Sequence, residues 1–188
     1  PRPPRYDIGM SLTQKQLYIL SGCAAAAFAF GILLAWLEKP LASQSPTPEH
    51  VWDYIEEDAP LHGIDPRFVY SIAMAESTLN PIASSGYANG MMQLSRVAWK
   101  EVSNESYQLA TNWQTNVNVA VDYLQFCKEF LEQHGKFSYP LLAACYHKGP
   151  YAVKKVGFQI KNLETPKNKI YQQLYAGNLG FVPVPSGS

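Results

Sequence analysis

Phe68-Val69-Tyr70-Ser71-Ile72-Ala73-Met74-Ala75-Glu76-Ser77 is an apolar run that closes on a carboxylate. Asp65-Pro66 just before it is a helix-start signal: a capping side chain followed by Pro in the first turn. Asn80-Pro81 beyond it marks the expected stop, since the residue before Pro avoids helical geometry. Burial disfavours the charged form of a carboxylic acid and raises its pKa. A raised carboxyl in a cleft is how enzymes keep a general acid ready near neutral pH. The plain alternative is a helix-end Glu facing solvent, the usual fate of a charged side chain.

Working outward, the chain reads as a series of helices. Thr47-Pro48-Glu49 starts one that runs to about His62, with Gly63 as its stop. Residues 82–92 are a loop and 95–102 a short helix. Asn116 to His134 is a long helix, with Val117, Ala120, Val121, Leu124 and Cys127 forming an apolar stripe, and Gly135 stops it. Short helices over 139–147 and 151–156 flank Gly149-Pro150, and a last one spans 166–175. Strand signals are few and no internal repeat is present. The expected fold class is mainly α.

Leu17 to Leu37 is mostly apolar and carries no charge. A helix of this length reaches about 32 Å, enough for a bilayer core of about 30 Å. Arg2, Arg5 and Lys15 precede it, which orients the N-terminus to the cytoplasm. The run is too long for an ordinary signal peptide. Leu20-Ser21-Gly22-Cys23 has the form of a lipidation motif, but its apolar region follows the Cys instead of preceding it, so the match is read as chance. The expected organisation is a cytoplasmic segment over 1–16, a transmembrane helix over 17–37, a Pro- and Ser-containing linker over 38–47, a domain over 48–176 and a flexible Gly- and Pro-rich tail over 177–188.

Residues 1–40 hold four of the 15 Lys and Arg and two of the 15 Asp and Glu, so the remainder carries 11 against 13, a net of −2. That balance excludes a nucleic-acid binder on bulk charge and is compatible with a sugar polymer. The three Cys residues give no disulfide framework; whether Cys127 and Cys145 are bridged stays open. His50, His62, His134 and His147 are too dispersed for metal-ligand spacing. No cofactor is implied.

Several motifs then occur in one order. Glu76-Ser77-x-x-Asn80-Pro81 is followed by a small-residue loop and Gly90-x-Met92-Gln93-Leu94. Asn116-Val117 and Tyr123-Leu124 come next, then Ala144-Cys145-Tyr146-His147-Lys148-Gly149-Pro150, then Thr165 and Tyr171. Over about residues 48–176 this resembles the catalytic domain of the soluble-type (SLT) lytic transglycosylases, relatives of goose-type lysozymes. The resemblance implies a lysozyme-like α-helical domain acting on peptidoglycan strands. It implies Glu76 as the catalytic acid and then base, cleaving the bond between N-acetylmuramic acid and N-acetylglucosamine without water. The product expected is a 1,6-anhydromuramyl end. Most glycosidases use two carboxylates; here none lies between Ser77 and Lys100, and Glu101 is next, which favours a one-carboxylate scheme.

Ser77, Gly90, Met92, Gln93, Tyr146 and His147 are the expected substrate-binding set. Gln93 is expected to hydrogen-bond sugar or, alternatively, to close the loop. Gly90 allows a close backbone approach or an unusual dihedral. Met91 and Met92 suit packing, with one of them lining the sugar floor. Tyr146 is expected to donate its hydroxyl to Glu76 or, alternatively, to be a core Tyr with its hydroxyl satisfied elsewhere, and Ser77 to position substrate or simply to cap backbone. Tyr87, Trp99 and Tyr171 are candidates for stacking on sugars, or else core or rim. His147 departs from the family pattern, which usually has Asn there, and introduces a group that charges near pH 6.5. The implied setting is a single-pass inner-membrane protein with its catalytic domain in the periplasm. The alternatives are a goose-lysozyme-like hydrolase and a non-catalytic glycan-binding component of an envelope-spanning or phage machine.

Overall fold

The computed structural model describes residues 45–186. The expected cytoplasmic segment, the transmembrane helix over 17–37 and most of the linker lie outside the described residues. Among the described residues, no helix is long and apolar enough to cross a membrane.

Over the described residues, seven α-helices and a two-stranded hairpin follow one another. Helix α1 (Pro48–Asp58) starts where Thr47 accepts a hydrogen bond from the His50 amide, and a 3-10 turn (Ala59–His62) carries the chain to Gly63 at φ 64°. Helix α2 (Pro66–Ser77) is capped by the Asp65 carboxylate at the Arg67 amide. Strands β1 (Ala88–Asn89) and β2 (Leu94–Ser95) pair antiparallel, Ala88 opposite Ser95 and Asn89 opposite Leu94. Helices α3 (Arg96–Val102), α4 (Trp113–Gln133), α5 (Tyr139–Lys148), α6 (Pro150–Lys155) and α7 (Lys169–Tyr175) complete the order.

Helix α4 is the spine. Its stripe of Val117, Ala120, Val121, Leu124 and Cys127 is fully buried, at the three- and four-residue spacing of one helical face. Helices α1, α3 and α5 pack against α4, while α2 is held between α1 and α7. Phe68, Val69, Ile72 and Ala73 of α2 are buried, as are Leu142, Ala143, Ala144 and Cys145 of α5. The mainly α fold follows from these faces, each apolar stripe being covered by a neighbour. Cys127 and Cys145 are both free thiols. Burial pushes Cys145 up to about 12 and Cys127 further, so neither is a ready nucleophile.

Several boundaries differ from the sequence reading, among them the start of α4, at Trp113 instead of Asn116 because the Asn112 side chain caps it at the Thr115 amide. Helix α2 stops at Ser77, before Asn80-Pro81, because Thr78 and Leu79 both turn left-handed, at φ 55° and 63°. The loop read over 82–92 contains a strand, and its partner precedes α3. Helix α7 starts at Lys169 instead of Pro166, because the Asn168 side chain accepts from the Ile170 and Tyr171 amides. Beyond Gly177, where a flexible tail was expected, Val182 is buried and Leu179 and Val184 pack against the core.

Candidate active site

The last turn of α2 and the first turn of α7 meet through two side chains. Asn168 caps its own helix with Oδ1 and donates Nδ2 to the Ala75 carbonyl at 3.0 Å. That carbonyl belongs to a helix end whose last C=O groups lack internal partners. The bond brings Tyr171, one turn along α7, over the neighbouring residue of α2. The Tyr171 hydroxyl donates to Glu76 Oε1.

Glu76 lines a cleft of about 710 Å³. Its carboxyl is pushed up from 4.5 to about 7, first by burial, with the Tyr171 hydrogen bond pulling the other way. Burial in low dielectric penalises the anion, while a donor stabilises it. The result is a carboxyl that carries a proton at neutral pH about as often as not, in reach of solvent and ligand. Such a group can give a proton in one step and take one in the next.

The tyrosine on the acid is therefore Tyr171, not Tyr146 as expected. Tyr146 is buried and donates to the Met92 carbonyl at 2.7 Å. Its ring also borders the cleft and lies edge-on to Tyr123 at 5.8 Å. Tyr171 is almost fully buried, so it supports the acid and offers no face to a sugar. Trp99 is likewise a core residue, its Nε1 donating to the Glu105 carbonyl at 2.9 Å. Tyr87, just before β1, is 90% exposed.

The Gly-Met-Met-Gln segment is held from three helices. Ser77 Oγ of α2 donates to the Met91 carbonyl at 2.7 Å. Asn116 Oδ1 of α4 accepts from the Met92 amide at 2.7 Å, and its Nδ2 donates to the Asn89 carbonyl at 3.3 Å. Tyr146 of α5 takes the Met92 carbonyl. Met91 and Met92 are fully buried, so Met92 packs in the core and does not line the cleft. Gly90 sits at φ 83°, and a Cβ there would come within 2.0 Å of the Ala110 carbonyl and 2.5 Å of Asn116 Nδ2. Its smallness serves protein packing against Asn116.

Gln93 and His147, with Glu76, do face the cleft. Gln93 takes a left-handed φ of 47°, a strained choice for a non-glycine residue. Its Nε2 donates to the Ala83 and Gly90 carbonyls at 3.0 and 2.9 Å. Nε2 therefore closes the loop, as the alternative reading had it, while among the described residues Oε1 has no protein partner. His147 stacks on Tyr171, centroids 4.3 Å apart and planes 17° apart, with Nδ1 3.2 Å from the Tyr175 hydroxyl. Burial pulls its pKa below 6.5, Lys148 adds to that, and Glu164 opposes it.

Glu101 lies on the same cleft, from α3. The sequence reading found no second carboxylate close to Glu76 in the chain, and folding supplies one on a separate helix. Lys148, Phe126 and Tyr151 also line the cleft and were not singled out. Among the described residues, no group of three or more His, Cys, Asp or Glu is arranged to hold a metal ion.

Residues 53–169 match the family described as Transglycosylase SLT domain. The matched segment runs from α1 to the first residue of α7 and contains Glu76, Gln93, Glu101 and His147. No curated relative matches the chain. With well over half of its length matched to that one family, the chain belongs to the transglycosylase SLT family, whose lytic transglycosylases act on peptidoglycan.

Proposed function

We propose that the protein cleaves the β-1,4 bond between N-acetylmuramic acid and N-acetylglucosamine, with Glu76 as the sole proton carrier. The observation that carries this reading is the Glu76 carboxyl, raised to about 7 on the wall of an open cleft. Protonated Glu76 gives its proton to the glycosidic oxygen as the bond to C1 breaks. The N-acetyl oxygen of the same sugar shields the cation developing at C1. The resulting Glu76 anion keeps the Tyr171 hydrogen bond, then takes the proton of the C6 hydroxyl as O6 closes on C1. One new hydroxyl and one 1,6-anhydro ring result, and no water is consumed. A pKa near the working pH suits both halves, because neither protonation state is expensive to reach.

Glu101 favours one rival. A second carboxylate across a cleft is what a hydrolase uses to activate water. Mass spectrometry of sacculus digests separates the two readings. Anhydro ends made by the wild type and retained by Glu101→Gln support the one-carboxylate scheme. Reducing ends lost in Glu101→Gln support hydrolysis. Glycan that binds and is never cut supports a structural component.

For location, we infer a single-pass inner-membrane protein, N-terminus in the cytoplasm and the SLT domain in the periplasm. Support comes from the uncharged 17–37 segment and the basic residues before it. The full chain is expected to stay with membranes after carbonate washing, and a fragment from Ser43 to be soluble. A full chain released by the wash would remove the anchor.

A further inference from the structure

The cleft described above has a corner that the acid–base chemistry does not use. It lies where α5 turns into α6 through Gly149, and it presents Lys148 on one side of the turn and Tyr151 on the other. Among the described residues lining the cleft, Lys148 is the one Lys or Arg, and Glu76 and Glu101 supply the cleft's carboxyl groups. Its protein counterion is a poor one: Glu164 Oε2 stands 3.7 Å from Nζ and is 78% exposed, whereas the Lys148 side chain is only 30% exposed. An exposed pair of that length is worth little and is screened by salt. The side chain thus borders the cleft, and its ammonium is only weakly paired.

Tyr151 adds an apolar face. It is 72% exposed and lines the cleft. Phe130 of α4 supports it edge-on, with centroids 5.7 Å apart and an angle of 67°. The ring is thereby fixed from one side and open on the other. An aromatic ring of this kind combines large contact area with a low entropic cost of ordering.

We propose that Lys148 and Tyr151 form a subsite for the carboxylate-bearing substituent on the muramic ring, so that the protein distinguishes charged from neutralised glycan. The inference rests on the glycan-cleaving reading above. Two sources offer this chemistry: a carboxylate of a peptide stem, or the free lactyl carboxylate of a stem-free sugar. Tyr151 packs against the sugar or the stem's aliphatic part, and Lys148 pairs with the carboxylate. His147, next to Lys148, keeps the corner adjacent to Tyr171 and hence to the acid. The substituent is read on the same muramic residue whose C1 reacts.

The test uses the full chain in detergent carrying Glu76→Gln, so that ligands persist. Four probes are titrated: a GlcNAc–MurNAc oligomer with ionised stem carboxylates, the same oligomer with those carboxylates amidated, a stem-free oligomer with free lactyl carboxylates, and a neutral GlcNAc oligomer. At least one carboxylate probe is expected to bind about three- to tenfold tighter than the amidated one at low salt, as suits one ion pair on a cleft wall. The preference should shrink as salt rises. Whichever carboxylate probe shows it identifies the source. Lys148→Met should abolish the preference and Lys148→Arg keep it, with thermal melts confirming folded protein. Tyr151→Ala should weaken charged and amidated oligomers by the same factor. Equal binding of carboxylate and amidated probes by the Lys148 protein overturns the proposal without any Lys148 variant. A preference that survives Lys148→Met overturns it too, and unchanged affinity in Tyr151→Ala overturns the aromatic half. Failure of all four probes to bind sinks the glycan reading itself.

Discussion

Replacing Glu76 by Gln should stabilise the fold at alkaline pH while abolishing turnover. The carboxyl titrates near 4.5 when the chain is unfolded and at about 7 in the native cleft. Between those values the folded protein holds a proton that the unfolded chain has released. Stability from this group is therefore complete below about pH 4.5 and is lost as pH rises through about 7. At about 1.4 kcal/mol per unit, the ionised carboxylate costs the native state up to about 3 kcal/mol at pH 8. Local relaxation and water entry reduce that, so about 2 kcal/mol is the working expectation. The amide keeps the shape and can still accept the Tyr171 hydroxyl, but has no charge to desolvate. Urea unfolding of the Ser43 fragment, followed by far-ultraviolet circular dichroism at pH 4, 6 and 8, checks this. The variant should gain on the wild type progressively across the three values. Loss of general acid–base action alone lowers turnover by about 10²–10⁴-fold. A stability difference independent of pH would refute the raised carboxyl, and more than about a tenth of wild-type turnover would refute its catalytic role.

Tyr171→Phe removes the one donor on Glu76 among the described residues, so the acid's pKa should rise by about one unit, the size of a charge-assisted hydrogen bond. The alkaline limb of kcat/KM against pH should move up accordingly, with a lower plateau; an unmoved limb refutes the role of this hydroxyl. Gly90→Ala drives a methyl into the Ala110 carbonyl and Asn116 at a left-handed φ. It should cost about 2–4 kcal/mol in urea unfolding, and a loss below about 0.5 kcal/mol would show that the contact yields freely. His147→Asn should flatten the acid-side decline in turnover that a charged imidazole beside Tyr171 produces. Because burial and Lys148 hold the His147 pKa below 6.5, that decline should begin below pH 6.5. Superimposable pH profiles would make His147 a packing substitution only.

Local physics made much of this legible in the chain. The apolar stripe of α4 repeats at helical spacing, so its buried face was readable without any partner. Asp65-Pro66 is a start signal complete within a few residues. Glu76 stood out because a carboxylate should not end an apolar run unless something compensates it. What failed to read depends on contacts between distant residues. The left-handed exit of α2 at Thr78 and Leu79 follows a serine that is bonded to the Met91 carbonyl, fourteen residues on. Tyr146 and Tyr171 look alike in sequence, both aromatic with a hydroxyl to satisfy. Which one reaches Glu76 is settled by α7 docking on α2 through Asn168, a contact spanning 93 residues. Glu101 enters the cleft for the same reason, because α3 packs on α4.

The same division explains what the motif is for. Buried backbone polar groups must find partners. The Gly90–Gln93 turn closes on itself through the Gln93 amide and the Gly90 carbonyl and borrows other partners: Ser77 from α2, Asn116 from α4, Tyr146 from α5. Three helices thus fix one loop, and each tie ends on Met91 or Met92, adjacent to the residue that must face outward. With its neighbours pinned on the core side, Gln93 is held at a strained φ with its amide turned to the cleft. Ser77, Gly90, Met92 and Tyr146 are therefore bound to their positions by packing and hydrogen bonding, while Glu76, Gln93 and His147 bring polar groups to the cleft. A substitution in the first group should act on stability and on the placement of Gln93 together. One in the second group should act on turnover or its pH dependence and leave the core intact.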